Sequence, residues 1–211
     1  MISGEEALAR LKEGNARYVA GQSTMTMAKT GAEVIAQQTP FAVILGCSDS
    51  RVPAEIVFDQ GVGDLFVIRV AGNIVAPSQV GSVEFAVEQF GTRLVMVLGH
   101  SHCGAVAATL SAIKAGAAPG SRNINSIVDR IRPSVETLLE APGDIDDETL
   151  TNLGVRANVR ASVSHLSHGS QLIENYVQNE GLIVVGAEYS LATGEVEFLD
   201  GDTGRMSYFP E

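Results

Sequence analysis

Two short stretches carry side chains that could do chemistry together. Cys47-Ser48-Asp49-Ser50-Arg51 brings a thiol, a carboxylate and a guanidinium close along the chain, and His100-Ser101-His102-Cys103-Gly104 adds an imidazole and a second thiol. Cys47, His100 and Cys103 are three soft ligands of the kind that hold zinc and leave one coordination position free. Two thiolates and one neutral imidazole make such a divalent site formally neutral. Water in the open position would have its pKa lowered towards about 7, so hydroxide able to attack an electrophilic carbon would exist near neutral pH. His100 and Cys103 have the usual i, i+3 ligand spacing, which leaves His102 as a solvent-facing neighbour.

Asp49 decides whether that site is open. As a permanent fourth ligand it would close the metal and leave a structural or sensory zinc site. Arg51 weighs against this. Two residues on, and on the same side of an extended segment, it can pair bidentately with the carboxylate. The pairing would hold Asp49 off the metal and free it to accept a hydrogen bond from the bound water.

The elements around these stretches must place them at one point. Phe41–Gly46 and Leu94–Gly99 are continuous apolar runs, as expected for buried parallel strands, and ligand sites of open α/β sheets lie at strand carboxyl ends. Leu65–Val70 and Leu182–Gly186 read as further strands, and Thr193-Gly194 turns the latter into an antiparallel strand at Glu195–Leu199. Ser3 and Glu6 form a capping box for an N-terminal helix with Leu8, Leu11 and Tyr18 on one face. From pattern alone, that helix could fold back on its own sheet or reach a partner subunit. Gly21–Thr26 reads as a polar linker and 27–38 as a weak second helix. Short helices are expected from Pro53, from Pro77 to Gly91, and from Cys103 to near Gly116, where a helix N-terminus would favour the Cys103 thiolate. Residues 117–180 read as helical, interrupted at Pro133 and near Pro142-Gly143-Asp144; His165 and His168 fall there as surface residues. The order points to α/β: a mostly parallel central sheet with an antiparallel edge strand, flanked by helices.

Composition narrows the function classes. The 211 residues suit one domain, 1–211, with 45% apolar and 18% charged side chains. Fourteen basic against 25 acidic residues give a net charge of −11, which argues against nucleic acid as a partner. No run reaches the ~18 apolar residues of a membrane helix. The N-terminus is acidic where a signal peptide would be apolar, so the expectation is a cytoplasmic protein. Both cysteines lie in the candidate metal motif, and two thiols make a thin disulfide framework for this length. Gly99-x-x-x-x-Gly104 lacks the Lys-Ser/Thr of a P-loop, and no Gly-x-Gly-x-x-Gly follows the first strand.

At these motifs the sequence resembles the β-class carbonic anhydrases. The resemblance rests on Cys47-Ser48-Asp49-Ser50-Arg51-Val52, on Phe66-Val67-Ile68-Arg69 with Ala71-Gly72-Asn73, and on Gly99-His100-Ser101-His102-Cys103-Gly104. More loosely it spans essentially the whole chain. It implies reversible hydration of carbon dioxide, one zinc on Cys47, His100 and Cys103, and an Asp49–Arg51 dyad that orients the zinc water or gates the metal. It also implies a homodimer or dimer-based oligomer with residues 1–38 as a helical arm, and a substrate pocket built across the dimer interface. Gln38 matches the family's amide donor, Phe66 and Ala71 match apolar walls, and Gly104 would offer a backbone N–H. Phe85 stands where plant-type members have Tyr. Some members bind an effector bicarbonate through a Trp, an Arg and a Tyr. Arg69 and Tyr189 match, but the Trp position is Ile44 and the chain has no Trp, so no such site is expected. Two other functions fit the same residues: a carbonyl sulfide or carbon disulfide hydrolase, and a non-catalytic zinc sensor.

Overall fold

A computed structural model of the chain describes residues 2–25, 38–116, 120–140 and 145–199. The weak helix expected over 27–38 falls, apart from its last residue, outside the described residues.

Ser3 starts α1 (Gly4–Val19) as the sequence predicts, with its hydroxyl accepting from the Glu6 N–H and the Glu6 carboxylate accepting from the Ser3 N–H. Helix α1 lays Ala7 and Leu11 on this chain's own sheet, both fully buried, and leaves its other face outward. Next come β1 (Ala42–Gly46), the short α2 (Ala54–Val57), and β2 (Leu65–Arg69), followed by a 3-10 turn at Ala71–Asn73. Helix α3 (Pro77–Phe90) takes Pro at its first position and ends on Gly91 in the left-handed conformation (φ 60°). Strand β3 (Leu94–His100) runs one residue past the expected apolar stretch and carries His100 within it. Cys103 is the N-cap of α4 (Gly104–Ala115). The helical region then divides into α5 (Arg122–Val135), a 3-10 turn (Glu136–Glu140), α6 (Asp147–His168) and α7 (Gln171–Asn179). The chain closes with β4 (Ile183–Tyr189) and β5 (Val196–Leu199).

Pro133 does not interrupt α5. It sits in the last turn, where it takes the donor from a single carbonyl, that of Asp129, and the helix passes into 3-10 three residues later.

Among the described residues the strands form a five-stranded sheet in the order β2-β1-β3-β4-β5, parallel except for β5. Both faces are covered, which is why β1 and β3 read as unbroken apolar runs. Ala42, Ile44, Leu94, Met96 and Leu98 pack towards α1 and α2, and the alternate residues Val43, Leu45, Val95 and Val97 pack towards α3 and α6. A third cluster, with Ile74, Val106, Ile131 and Val155, surrounds Cys47 and Cys103. Register does the positioning. Gly46 pairs with Leu98, so Cys47 leaves β1 level with Gly99 and beside His100, the last residue of β3. Gly99 lets α6 close over that end; a Cβ there would sit 2.5 Å from Val159 Cγ2. No described helix is long and apolar enough to cross a membrane.

Candidate metal centre

The ligand atoms of Cys47, His100 and Cys103 all lie within 4.8 Å of one another, and all three residues are buried. The imidazole is already set for a metal. His100 Nδ1 lies 2.9 Å from the Ser101 carbonyl oxygen, which fixes the proton on Nδ1, and Nε2 is buried with no hydrogen-bond partner among the described residues. A buried ring nitrogen with its lone pair facing two thiols is costly unless a thiol proton or a cation takes it, and a cation serves it better than the weak S–H donor. The donor set and this orphaned nitrogen fit a soft divalent ion.

The thiols show the same demand. Cys47 is pushed well below the ordinary thiol range, first by its hydrogen bond with Cys103, then by His100 and the Gly72 N–H, which lies 3.3 Å from Cys47 Sγ. Cys103 is pushed upwards by the Cys47 thiolate and by burial. Two thiolates this close cannot both ionise cheaply without positive charge between them. The N-cap position of Cys103 lowers that cost, since the N–H groups of Ala105 and Val106 point at it.

Asp49 stands beside the cluster, with Oδ2 3.8 Å from His100 Nε2. Arg51 holds both its oxygens, Nε to Oδ1 at 2.9 Å and Nη2 to Oδ2 at 2.7 Å. These bonds hold the Asp49 carboxyl far below the usual carboxylate range. The expected pairing is present, but the backbone that makes it is a turn and not an extended segment. Arg51 N donates to Asp49 Oδ1 at 3.0 Å, and Val52 N to the Asp49 carbonyl at 3.1 Å. An Asx-type turn folds the two side chains together, whereas an extended strand would only set them on one side.

Arg69, at the end of β2, donates from Nε to the Cys47 carbonyl at 2.9 Å and from Nη2 to the Asp49 carbonyl. It clamps the loop that carries both residues.

The carbonic anhydrase family profile matches residues 42–196 of this sequence. The fold superimposes on a tetrameric β-carbonic anhydrase of the ascomycete Sordaria macrospora with a TM-score of 0.71, at 25% identity over 81% of this chain and 86% of that one. The chain belongs to the β-carbonic anhydrase family. It is 41% identical over 192 residues to carbonic anhydrase 2 of Mycobacterium tuberculosis, covering 90% of each chain. The carbonic anhydrase of Mycolicibacterium smegmatis is 40% identical over 200 residues, covering 93% of this chain and 94% of its own.

Within one chain, the fold gathers some of the expected site residues and separates others. Cys47, Asp49, Arg51, His100 and Cys103 meet at one pole of the sheet. Ala71 adjoins them through the Gly72 N–H, and Gly104 through Cys103. Nothing among the described residues lies within 4 Å of where a Gly104 Cβ would stand, so that side of the residue is open. Gln38 is elsewhere. It precedes β1 while Cys47 follows it, and five strand residues separate the two ends by roughly 16 Å. Gln38 lines a cleft of about 640 Å³ with Ile2, Arg10, Phe41 and Phe90, none of which belongs to the metal cluster. Phe66 packs on Phe85 and Phe90 at centroid distances of 6.2 and 5.9 Å, beside the edge strand β2, with Phe85 51% exposed. His102 is exposed, as expected, in a left-handed conformation (φ 55°).

The sequence did not point to the residues behind the turn at Gly72. Asn158 Nδ2 donates to the Gly72 carbonyl at 2.7 Å, and Ser162 Oγ to the Asn73 carbonyl at 3.1 Å. The signal was available: two polar residues four apart in a helix face otherwise made of Val155, Val159, Val163 and Leu166.

Proposed function

We propose that this chain hydrates carbon dioxide reversibly to bicarbonate and a proton, with one zinc held by Cys47, His100 and Cys103. The observation that carries the reading is the unpartnered His100 Nε2 facing two buried thiols, with Asp49 held beside them by Arg51. Bound there, zinc would supply a Lewis acid that brings a water's pKa into the neutral range.

The rest of the chemistry falls to side chains and backbone. Asp49, unprotonated throughout the neutral range, accepts a hydrogen bond from the attacking water and aims its lone pair at the substrate carbon. Arg51 keeps Asp49 from becoming a ligand itself, because both carboxylate oxygens are engaged. The Gly104 N–H, at the first position of α4, has no partner within the helix and can donate to a substrate oxygen. Ala71, Phe66 and Phe85 supply apolar wall, which suits a substrate without charge and slows its loss to water.

Gln38 and the Phe66–Phe85 face complete the pocket only if a second copy brings them to this metal, so the working unit is a dimer or an assembly of dimers. The exposed Phe85 and the edge position of β2 support a contact there. On the same reading, residues 1–38 act as an arm, with the inner face of α1 on its own sheet and the outer face against the partner. The domain is the whole chain, 1–211, and the site of action is the cytoplasm.

The test is stopped-flow carbon dioxide hydration across pH on metal-analysed protein, with and without a chelator. Activity that tracks zinc content and rises with the ionisation of one group supports the reading. Zinc-loaded protein that does not hydrate carbon dioxide overturns it.

A further inference from the structure

The turn at Ala71–Asn73 backs directly onto the Cys47 thiol through the Gly72 N–H, 3.3 Å from Sγ. Gly72 has φ 70° and ψ 19°, a left-handed conformation that glycine adopts freely but that no side chain of its own can hold. A three-residue 3-10 turn also cannot satisfy its own carbonyls. Both tasks fall to helix α6. Asn158 and Ser162 are 2% and 4% exposed, one turn apart on one face, and they bond the consecutive carbonyls of Gly72 and Asn73. On its other side Gly72 is backed by Ile131 of α5, whose Cδ1 would lie 2.7 Å from an added Cβ. The N–H that donates to Cys47 belongs to the Ala71–Gly72 peptide; Asn158 holds the next peptide, Gly72–Asn73, through its carbonyl, and Ile131 packs against the α-carbon the two peptides share, so the angle between them is fixed.

We propose that Asn158 is a positioning residue for the Cys47 thiolate: by holding the Gly72 carbonyl it aims the Gly72 N–H at Cys47 Sγ, and so sets how that sulfur binds its metal. This rests on Cys47 being a metal ligand. An N–H···S bond draws charge from the thiolate and fixes its direction. Without it the sulfur is more electron-rich and less preorganised. Partners one step removed from a metal typically change its affinity by about 10- to 100-fold, and Asn158, which acts through one intervening peptide, belongs at the lower end.

Cobalt(II) substitution reads the sulfur directly. Asn158→Leu keeps the bulk and removes the donor; Ser162→Ala removes the neighbouring bond and leaves that of Gly72. In Asn158→Leu the sulfur-to-cobalt charge-transfer band should move to lower energy and the zinc dissociation constant should rise about tenfold. Ser162→Ala should leave the band in place. An Asn158 that only stabilised the fold would lower the melting temperature without moving the band, and that result overturns the proposal. If the wild-type cobalt protein shows no sulfur band at all, Cys47 is not a ligand and the metal-centre reading falls too. A wild-type band that is unmoved in Asn158→Leu overturns this inference alone. Should Asn158→Leu not fold, Asn158→Ala is the second variant, read in its cadmium-113 form. The scalar coupling between the Gly72 amide and the metal across the N–H···S bond should weaken there relative to wild type, and an unchanged coupling refutes the proposal.

Discussion

Two aspartate–arginine pairs of nearly equal length serve different parts of this molecule. Asp49 and Arg51 meet at 2.7 Å beside the metal cluster, and Asp59 and Arg17 at 2.6 Å where α1 crosses the end of α2. Their surroundings differ. Arg51 is 56% exposed, and among the described residues it alone supplies the donors to Asp49, through Nε, Nη2 and its own N–H. The Asp59 side chain is fully buried and takes bonds from Arg17, from the Ser23 hydroxyl, from the Thr24 N–H and hydroxyl, and from the Met25 N–H. Burial alone would raise the Asp59 pKa, but these donors more than offset it and hold the carboxyl below its usual range. Redundant neutral donors make Asp59 a fixed anchor for the chain leaving α1. A single exposed partner leaves Asp49 able to change hands, as a group that gates a metal must.

Substitutions at the two pairs should separate function from stability, and the largest effects belong to the metal cluster. Cys103→Ser should lose zinc and activity together, because a neutral hydroxyl is a far poorer zinc ligand than a thiolate. Full zinc occupancy by metal analysis would remove Cys103 from the ligand set. Arg51→Ala should keep zinc yet be inactive near neutral pH, since Asp49 is then free to close the metal. Some activity should return at high pH, where hydroxide competes better for that position. A flat, wild-type pH profile would deny Arg51 its gating role.

Asp49→Ala should also retain zinc on its three remaining ligands, while carbon dioxide hydration falls by roughly 10²-fold, the scale of losing a positioned acid–base group. Loss of zinc in that variant would make Asp49 a structural ligand. At the other pair, Asp59→Asn should cost about 2 kcal/mol of stability by denaturant unfolding, a figure discounted for the partial exposure of Arg17, with activity per folded molecule unchanged. The Asp59 pKa is depressed on folding, so its contribution is complete above the unfolded value of about 3.9 and fades as pH falls through the folded one. Wild type and variant should therefore converge in acid, and a gap that persists there would contradict the anchor. The smallest expected effect is on regulation. Bicarbonate should inhibit without cooperativity, because Arg69 is spent on the Cys47 and Asp49 carbonyls, Tyr189 bonds the Tyr18 hydroxyl at 3.1 Å, and Ile44 is buried in the sheet. A sigmoidal inhibition curve would reopen that site.

Much of this was legible in the residues themselves, for a physical reason. Capping, strand period, turn residues and metal-ligand chemistry act between near neighbours, so Ser3 with Glu6, the apolar runs before Cys47 and His100, and the i, i+3 pair His100–Cys103 declare themselves locally. Pairing partners across a crossover do not. That β1 lies between β2 and β3, with Gly46 level with Leu98, follows from helix packing on both faces of the sheet, and only this register turns two distant motifs into one cluster. The same holds for Arg51, which reaches Asp49 through a turn, and for Asn158, whose polar side chain has no meaning until α6 lies behind Gly72. Gln38 is close to Cys47 in sequence and far from it in space, because a rigid strand runs between them. Side-chain chemistry was set by residue type; which groups share a site was set by tertiary packing, where contact energies between remote segments outweigh any local preference.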